Sequence, residues 1–193
     1  MKTFTLLSAI LLLIYPFAVY YGLSQWGISA VAGVLALLFI LRVLGGNQTR
    51  LRELKYIAWL TGSAGIVLTL LAFIFKSSHW FTYYPVVVNL FMMSLFAHSL
   101  FQEKSMIERF ARLQDPELPM YAVRYTRNVT KCWCLFFMLN ACLAFVTTFM
   151  SMQIWTIYNG LISYLLAGCL FTFEYVVRLI VKRKNEKITE HAA

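Results

Sequence analysis

Apolar residues along this chain gather in long runs separated by short polar breaks, rather than alternating with polar ones. Six runs stand out: Thr3–Tyr21, Ile28–Leu44, Tyr56–Phe75, Tyr83–Phe101, Cys132–Met150 and Ile157–Val177. Each holds 17 to 21 residues with almost no charge. As a helix rising ~1.5 Å per residue, each is long enough to cross ~30 Å of hydrocarbon. The pattern predicts an all-α fold: a polytopic membrane helix bundle of six transmembrane helices, paired as three hairpins. The whole chain, 1–193, reads as a single transmembrane domain. The first run follows Lys2 as a signal peptide would, but it is long for one, contains Pro16 and lacks a small-residue cleavage site, so it is expected to stay as a span.

The longest polar break, the elbow at 102–131, has structure of its own. Ser105 and Glu108 fit a capping box opening a short helix. Met106, Ile107, Phe110, Ala111 and Leu113 then fall on one side, with Glu108, Arg109 and Arg112 largely on the other. That division predicts an amphipathic helix lying in the membrane surface. Asp115-Pro116 and Pro119 end it, because a proline disfavours helix in the residue before it. A second helical start follows, on which Arg124, Arg127 and Lys131 make a cationic stripe leading into the fifth span. The stripe is a candidate docking surface for an anionic headgroup, an acidic carrier protein or another membrane protein. The alternative is a connector that only spaces spans four and five.

Composition sharpens this picture. The chain is 61% hydrophobic and 13% charged, against about 45–50% and 25% in soluble domains. With the N-terminus placed in the cytoplasm, every Lys and Arg falls on the inner side except Lys76. The positive-inside rule therefore predicts both termini cytoplasmic. The same bias accounts for the net charge of +9 without nucleic acid; contact with anionic headgroups suffices. The outer turns carry Trp26, Trp80 and Trp155, read as interface anchors. The sequons Asn47-Gln48-Thr49 and Asn128-Val129-Thr130 fall on the inner side and are coincidental on this reading. Cys132 and Cys134 point about 200° apart on a helix and cannot easily share a metal. Neither a metal nor a cofactor is expected.

Polar groups within spans are functional hypotheses by default, because burying them in hydrocarbon is costly. Asn89 and Asn140 are expected to make interhelical polar contacts. His98, Glu174 and Arg178 form the sharper candidate, an inner-side polar site that is proton-linked or headgroup-binding. Set against it is a local Glu174–Arg178 ion pair, with His98 packed or reaching to the headgroups. His98 and Glu103 match the H-x4-D/E spacing of glycerolipid acyltransferases, but no companion substrate-binding blocks accompany them.

The segment IERFARLQDPELP…VRYTRNVTKCWCLFFMLNA, from Ile107 to Ala141, resembles a bacterial family of small inner-membrane proteins. Members are encoded beside fatty-acid-like synthesis genes, including aryl polyene clusters. More loosely, Tyr56–Lys182 looks like the intracellular septation protein A family. These resemblances imply a bacterial inner membrane and a role near envelope lipid or wall assembly, and carry no catalytic residue onto this chain. The expected function is a non-enzymatic accessory or scaffold protein in envelope-lipid or polyene biogenesis or envelope maintenance. The alternative is a small transporter or flippase for a lipid or metabolite, which needs several facing polar residues at mid-depth. A membrane-embedded lipid-modifying enzyme comes third, since a catalyst needs a base with partners in reach and only His98 with Glu174 qualifies.

Overall fold

The structure is a computed structural model describing residues 2–46, 52–113 and 115–192, with side chains over 14–44, 55–113 and 115–183. The sequon at Asn47–Thr49 and the side chains of Lys2, Arg52, Lys184 and Lys187 lie outside the described residues. The helices are α1 (Lys2–Gly46), α2 (Arg52–Ile74), α3 (His79–Thr82), α4 (Tyr84–Leu100), α5 (Met106–Ala111), α6 (Met120–Thr147), α7 (Met152–Ile157) and α8 (Ser163–Ala192). A π-helical stretch, Tyr158–Ile162, joins α7 to α8. There is no strand among the described residues. Among the described residues, five helical stretches are long and apolar enough to cross a membrane: Ile14–Leu44, Lys55–Ile74, His79–Leu100, Met120–Thr147 and Met152–Arg183. The chain is a helical membrane protein.

The first of these stretches is two helices. Gly27 breaks α1 with φ 75° and ψ 175°, a conformation costly for any residue with a Cβ. On either side of it, the rings of Tyr15 and Phe39 lie 5.9 Å apart. In a straight helix, 24 residues would separate them by ~36 Å. The chain therefore folds back at Gly27, and this one stretch holds two apolar segments. The helical start expected after Pro119 and the fifth run are one helix: α6 begins at Met120, twelve residues before Cys132, and carries the cationic stripe as expected.

The chain packs as two compact units. One comprises residues 1–92 and 139–163, the other 93–138 and 164–193. In the first, Tyr15, Val19, Val31, Leu35, Phe39, Ala72, Phe81, Tyr84 and Trp155 form one buried core. Small residues set the helix spacing there. A Cβ at Gly62 would lie 2.6 Å from Val43 Cγ2. One at Gly65 would run into the Phe39 ring, which Tyr15 and Tyr84 hold from other sides.

α2 ends at a left-handed residue, Lys76 (φ 50°). Ser77 N–H reaches back to Ala72 O at 3.1 Å, the longer bond of a Schellman-type cap. The chain then enters α3, whose carbonyls face apolar surroundings. Tyr15 Oη donates to Phe81 O at 2.8 Å, and Trp155 Nε1 donates to Thr82 O at 3.0 Å. Trp155 is therefore not an interface anchor. It is fully buried (0% exposed), because the indole N–H is needed inside. Trp26, 70% exposed, does project outward.

Phe39 has no room to retreat, so Gly65→Ala should overpack this contact and lower stability by about 1–3 kcal/mol. Thermal unfolding in detergent measures it. An unchanged midpoint would show that the α1–α2 approach is looser than described.

Candidate functional site

Three groups of polar residues compete for a functional role. The first lies inside the first unit. Asn140 Nδ2 donates to Asn89 Oδ1 at 3.0 Å and to Ser163 Oγ at 2.8 Å. Tyr158 Oη donates to Asn140 Oδ1 at 2.7 Å, and Asn89 Nδ2 turns back to Pro85 O at 2.8 Å. The two asparagines expected to make interhelical contacts are thus joined directly. Alongside, Asn159 Nδ2 donates to Thr147 Oγ1 and Trp155 O at 3.1 and 2.9 Å. Asn159 was not singled out from the sequence, although an Asn-Gly pair inside an apolar run is a visible signal. Gly160 makes room for Phe17, whose Cε2 would sit 2.7 Å from a Cβ there. Chemically this group is a set of ties: amides, hydroxyls and a phenol bonded to one another.

Arg42 behaves similarly. The sequence counts it among the inner-side cations, but its guanidinium turns back between helices and donates from Nε to Thr61 Oγ1 at 2.9 Å. Thr61 Oγ1 in turn donates a hydrogen bond to Ile57 O at 2.7 Å.

The second group is the pair His98 and Glu174, both in the second unit. Their polar partners differ, and no hydrogen bond or ion pair joins them among the described residues. His98 is exposed, and its Nε2 lies 2.9 Å from Gln102 Nε2, one turn on. Glu174 is instead met by Tyr125, which donates its hydroxyl to Glu174 O at 2.9 Å and approaches Oε1 at 3.4 Å. Arg178 lies 3.8 Å from the same Oε1 and stacks over Tyr175, 5.4 Å from the ring centroid. The carboxylate site is therefore Tyr125, Glu174 and Arg178. Sequence reasoning missed Tyr125 because it lies on the helical start before the fifth run, outside the apolar runs from which the intramembrane polar candidates come.

The third group is the elbow. The predicted helix forms as α5, but its start is capped differently. Ser105 makes no side-chain cap bond. Met106 N–H is taken by Ser99 Oγ at 2.9 Å and Ile107 N–H by Thr130 Oγ1 at 3.3 Å. Neighbouring helices thus supply the acceptors that a local cap would have given. Glu108 is left to pair with Arg112 at 2.9 Å, and it is buried (3% exposed), as is Met106. This corrects the expected division of faces, since Glu108 points inward with Met106. Arg112 also donates from Nη1 to Pro116 O at 2.7 Å, bracing the proline turn. On α6, Arg124, Arg127 and Lys131 are all exposed. Arg127 Nη2 donates to Leu100 O at 2.7 Å, placing a cation at the C-terminal end of α4, where the helix dipole favours it.

An open groove of 570 Å³ also runs along α8 from Tyr164 to Val176. Its lining is mostly apolar, and the hydroxyl of Thr172 is already bonded to Gly168 O at 2.8 Å. Among the described residues, no three His, Cys, Asp or Glu converge as metal ligands would.

Because Tyr125 and not His98 holds Glu174, Tyr125→Phe should cost about 1 kcal/mol of stability. His98→Ala, at an exposed site, should stay within about 0.5 kcal/mol of the parent. Chemical or thermal unfolding of the two purified variants distinguishes them. Equal losses would mean that the histidine also bears on the carboxylate.

Comparison with known proteins brings no match, whether with family models, curated proteins or solved structures.

Proposed function

We propose that this chain is a non-enzymatic accessory or scaffold protein of a bacterial inner membrane, with both termini in the cytoplasm. It serves envelope-lipid or polyene biogenesis or envelope maintenance. The carrying observation is how its interior polar groups are used. Asn89, Asn140, Tyr158 and Ser163 are bonded to one another, and Asn159 to Thr147 and Trp155. A carrier or catalyst would need such groups turned toward a substrate path. The exclusion of Lys76 alone from the inner-side cations supports the orientation. The resemblance of the Ile107–Ala141 segment supports the cellular context.

The transporter or flippase reading draws on one feature, the π-helical stretch Tyr158–Ile162 beside Asn140. Such stretches occur often at functional sites. Here, however, the Tyr158 hydroxyl is bonded to Asn140 and the Asn159 amide nitrogen to Thr147 and Trp155, which favours the scaffold, while Asn159 Oδ1 is buried without a hydrogen-bond partner among the described residues.

The test is complementation of a deletion strain by His98→Ala and Glu174→Gln, with protein level measured in the same cells. For a scaffold, function follows abundance in both variants. Loss of function at full abundance would overturn the reading and return His98 and Glu174 to a working site. Partners retained by the parent in purification from native membranes should be retained by both variants as well.

A further inference from the structure

The sequence pattern assigns Met106, Ile107, Phe110 and Ala111 to the lipid, yet Met106 is buried and the other three are half-buried against the second unit. Of that predicted face only Leu113 projects, and the other exposed apolar side chains come from the segments flanking the helix. Phe101 is 89% exposed, more than any other large hydrophobic residue described, with Met120 at 71% and Leu113 at 59%. Phe101 stands next to the cationic stripe, because Arg127 Nη2 is bonded to the carbonyl of Leu100, its neighbour in the chain, at 2.7 Å. Arg124 lies one turn before Arg127 on α6 and Lys131 one turn after, both exposed, and 120–131 contains no acid. Of the elbow's acids, Glu108 is turned inward to Arg112. Asp115 accepts a bond from Glu117 N–H at 3.3 Å within its own loop, and Glu103 and Glu117 are exposed.

Length fixes the depth of this surface. α6 has 28 residues, ~42 Å of helix, against ~30 Å of hydrocarbon. About eight residues in excess, placed at its polar end, hold Arg124 and Arg127 at the level of the headgroups, with Lys131 one turn deeper and its long side chain reaching out to them. An exposed aromatic ring beside cations at that depth matches an amphipathic lipid boundary, with ring toward acyl chains and cations toward phosphate.

We propose that the elbow is a docking surface for anionic phospholipid, in which Phe101 inserts among the acyl chains while Arg124 and Lys131 hold the phosphate-bearing headgroup. Arg127 is the positioning residue that sets Phe101 beside them. The assignment depends on the chain being a membrane protein and not on its being a scaffold.

The test uses the full-length protein purified in detergent and titrated with dioleoyl phosphatidylglycerol or dioleoyl phosphatidylcholine, in low and high salt. Bound lipid is read by native mass spectrometry. The parent should retain phosphatidylglycerol in preference to phosphatidylcholine, and lose the preference as salt screens it. Arg124→Gln with Lys131→Gln should weaken phosphatidylglycerol retention by at most about thirtyfold and flatten the salt dependence. Phe101→Ser should weaken retention of both lipids by about tenfold and leave the salt dependence as it was. Arg127 is left in place because it caps α4. If the double variant loses helicity, Lys131→Gln alone, with no side-chain partner among the described residues, should still weaken retention by about fivefold. Equal retention of the two lipids by the parent, or unchanged retention in the variants, overturns the proposal. So does loss of binding to an acidic carrier protein in the stripe variants while phosphatidylglycerol binding persists, which would make the stripe a protein interface.

Discussion

A polar group carried into hydrocarbon has no water to bond, so its partner must come from the protein. That constraint explains most of the side-chain placement in the first unit. The α3 turn follows α2 into apolar surroundings, and its carbonyls at Phe81 and Thr82 would be stranded there. The phenol of Tyr15 and the indole of Trp155 meet them. Both donors must be buried to do so, and their rings, with Phe39 and Tyr84, then become the core. Gly62 and Gly65 let α2 come close enough for this to happen. The fold-back at Gly27 brings Tyr15 and Phe39 to the same place from opposite directions.

The same rule separates the interior from the elbow. Inside, Asn89, Asn140, Ser163 and Tyr158 consume each other's hydrogen-bonding capacity. At the elbow, Ser99 and Thr130 spend their hydroxyls on the first turn of α5, and this tertiary capping draws Glu108 and Met106 inward. The elbow's predicted apolar face is thereby partly withdrawn, and Phe101, Arg124 and Lys131 stand out beside it. Function on this account belongs to the surface, while the interior polar groups hold the helices together.

What the sequence made legible follows from transfer free energy, which depends on composition over a window of residues. The apolar segments, their order and the short elbow helix could be read that way, and so could the polar pair Asn89 and Asn140. What it hid depends on which neighbour arrives. Trp155 looks like an interface tryptophan until the Thr82 carbonyl needs its N–H. Ser105 and Glu108 look like a capping box until Ser99 and Thr130 take the neighbouring N–H groups of Met106 and Ile107 and Glu108 turns to Arg112. His98 and Glu174 share a predicted depth, but depth does not bring side chains together, and Tyr125 occupies the place instead. The π-helical stretch at Tyr158–Ile162 left no periodic signal, because a single widened turn barely disturbs an apolar run.

The central claim is that the interior polar residues are structural ties, and a double-mutant cycle on Asn89 and Asn140 tests it most directly. Asn89→Ala, Asn140→Ala and the double variant would be unfolded reversibly in mixed detergent. The account predicts a coupling of about 0.6–1.7 kcal/mol, the range for hydrogen bonds between membrane helices, with cellular function following abundance throughout. Additive losses, with function abolished at normal abundance in either single variant, would contradict it and make the asparagines part of a working site.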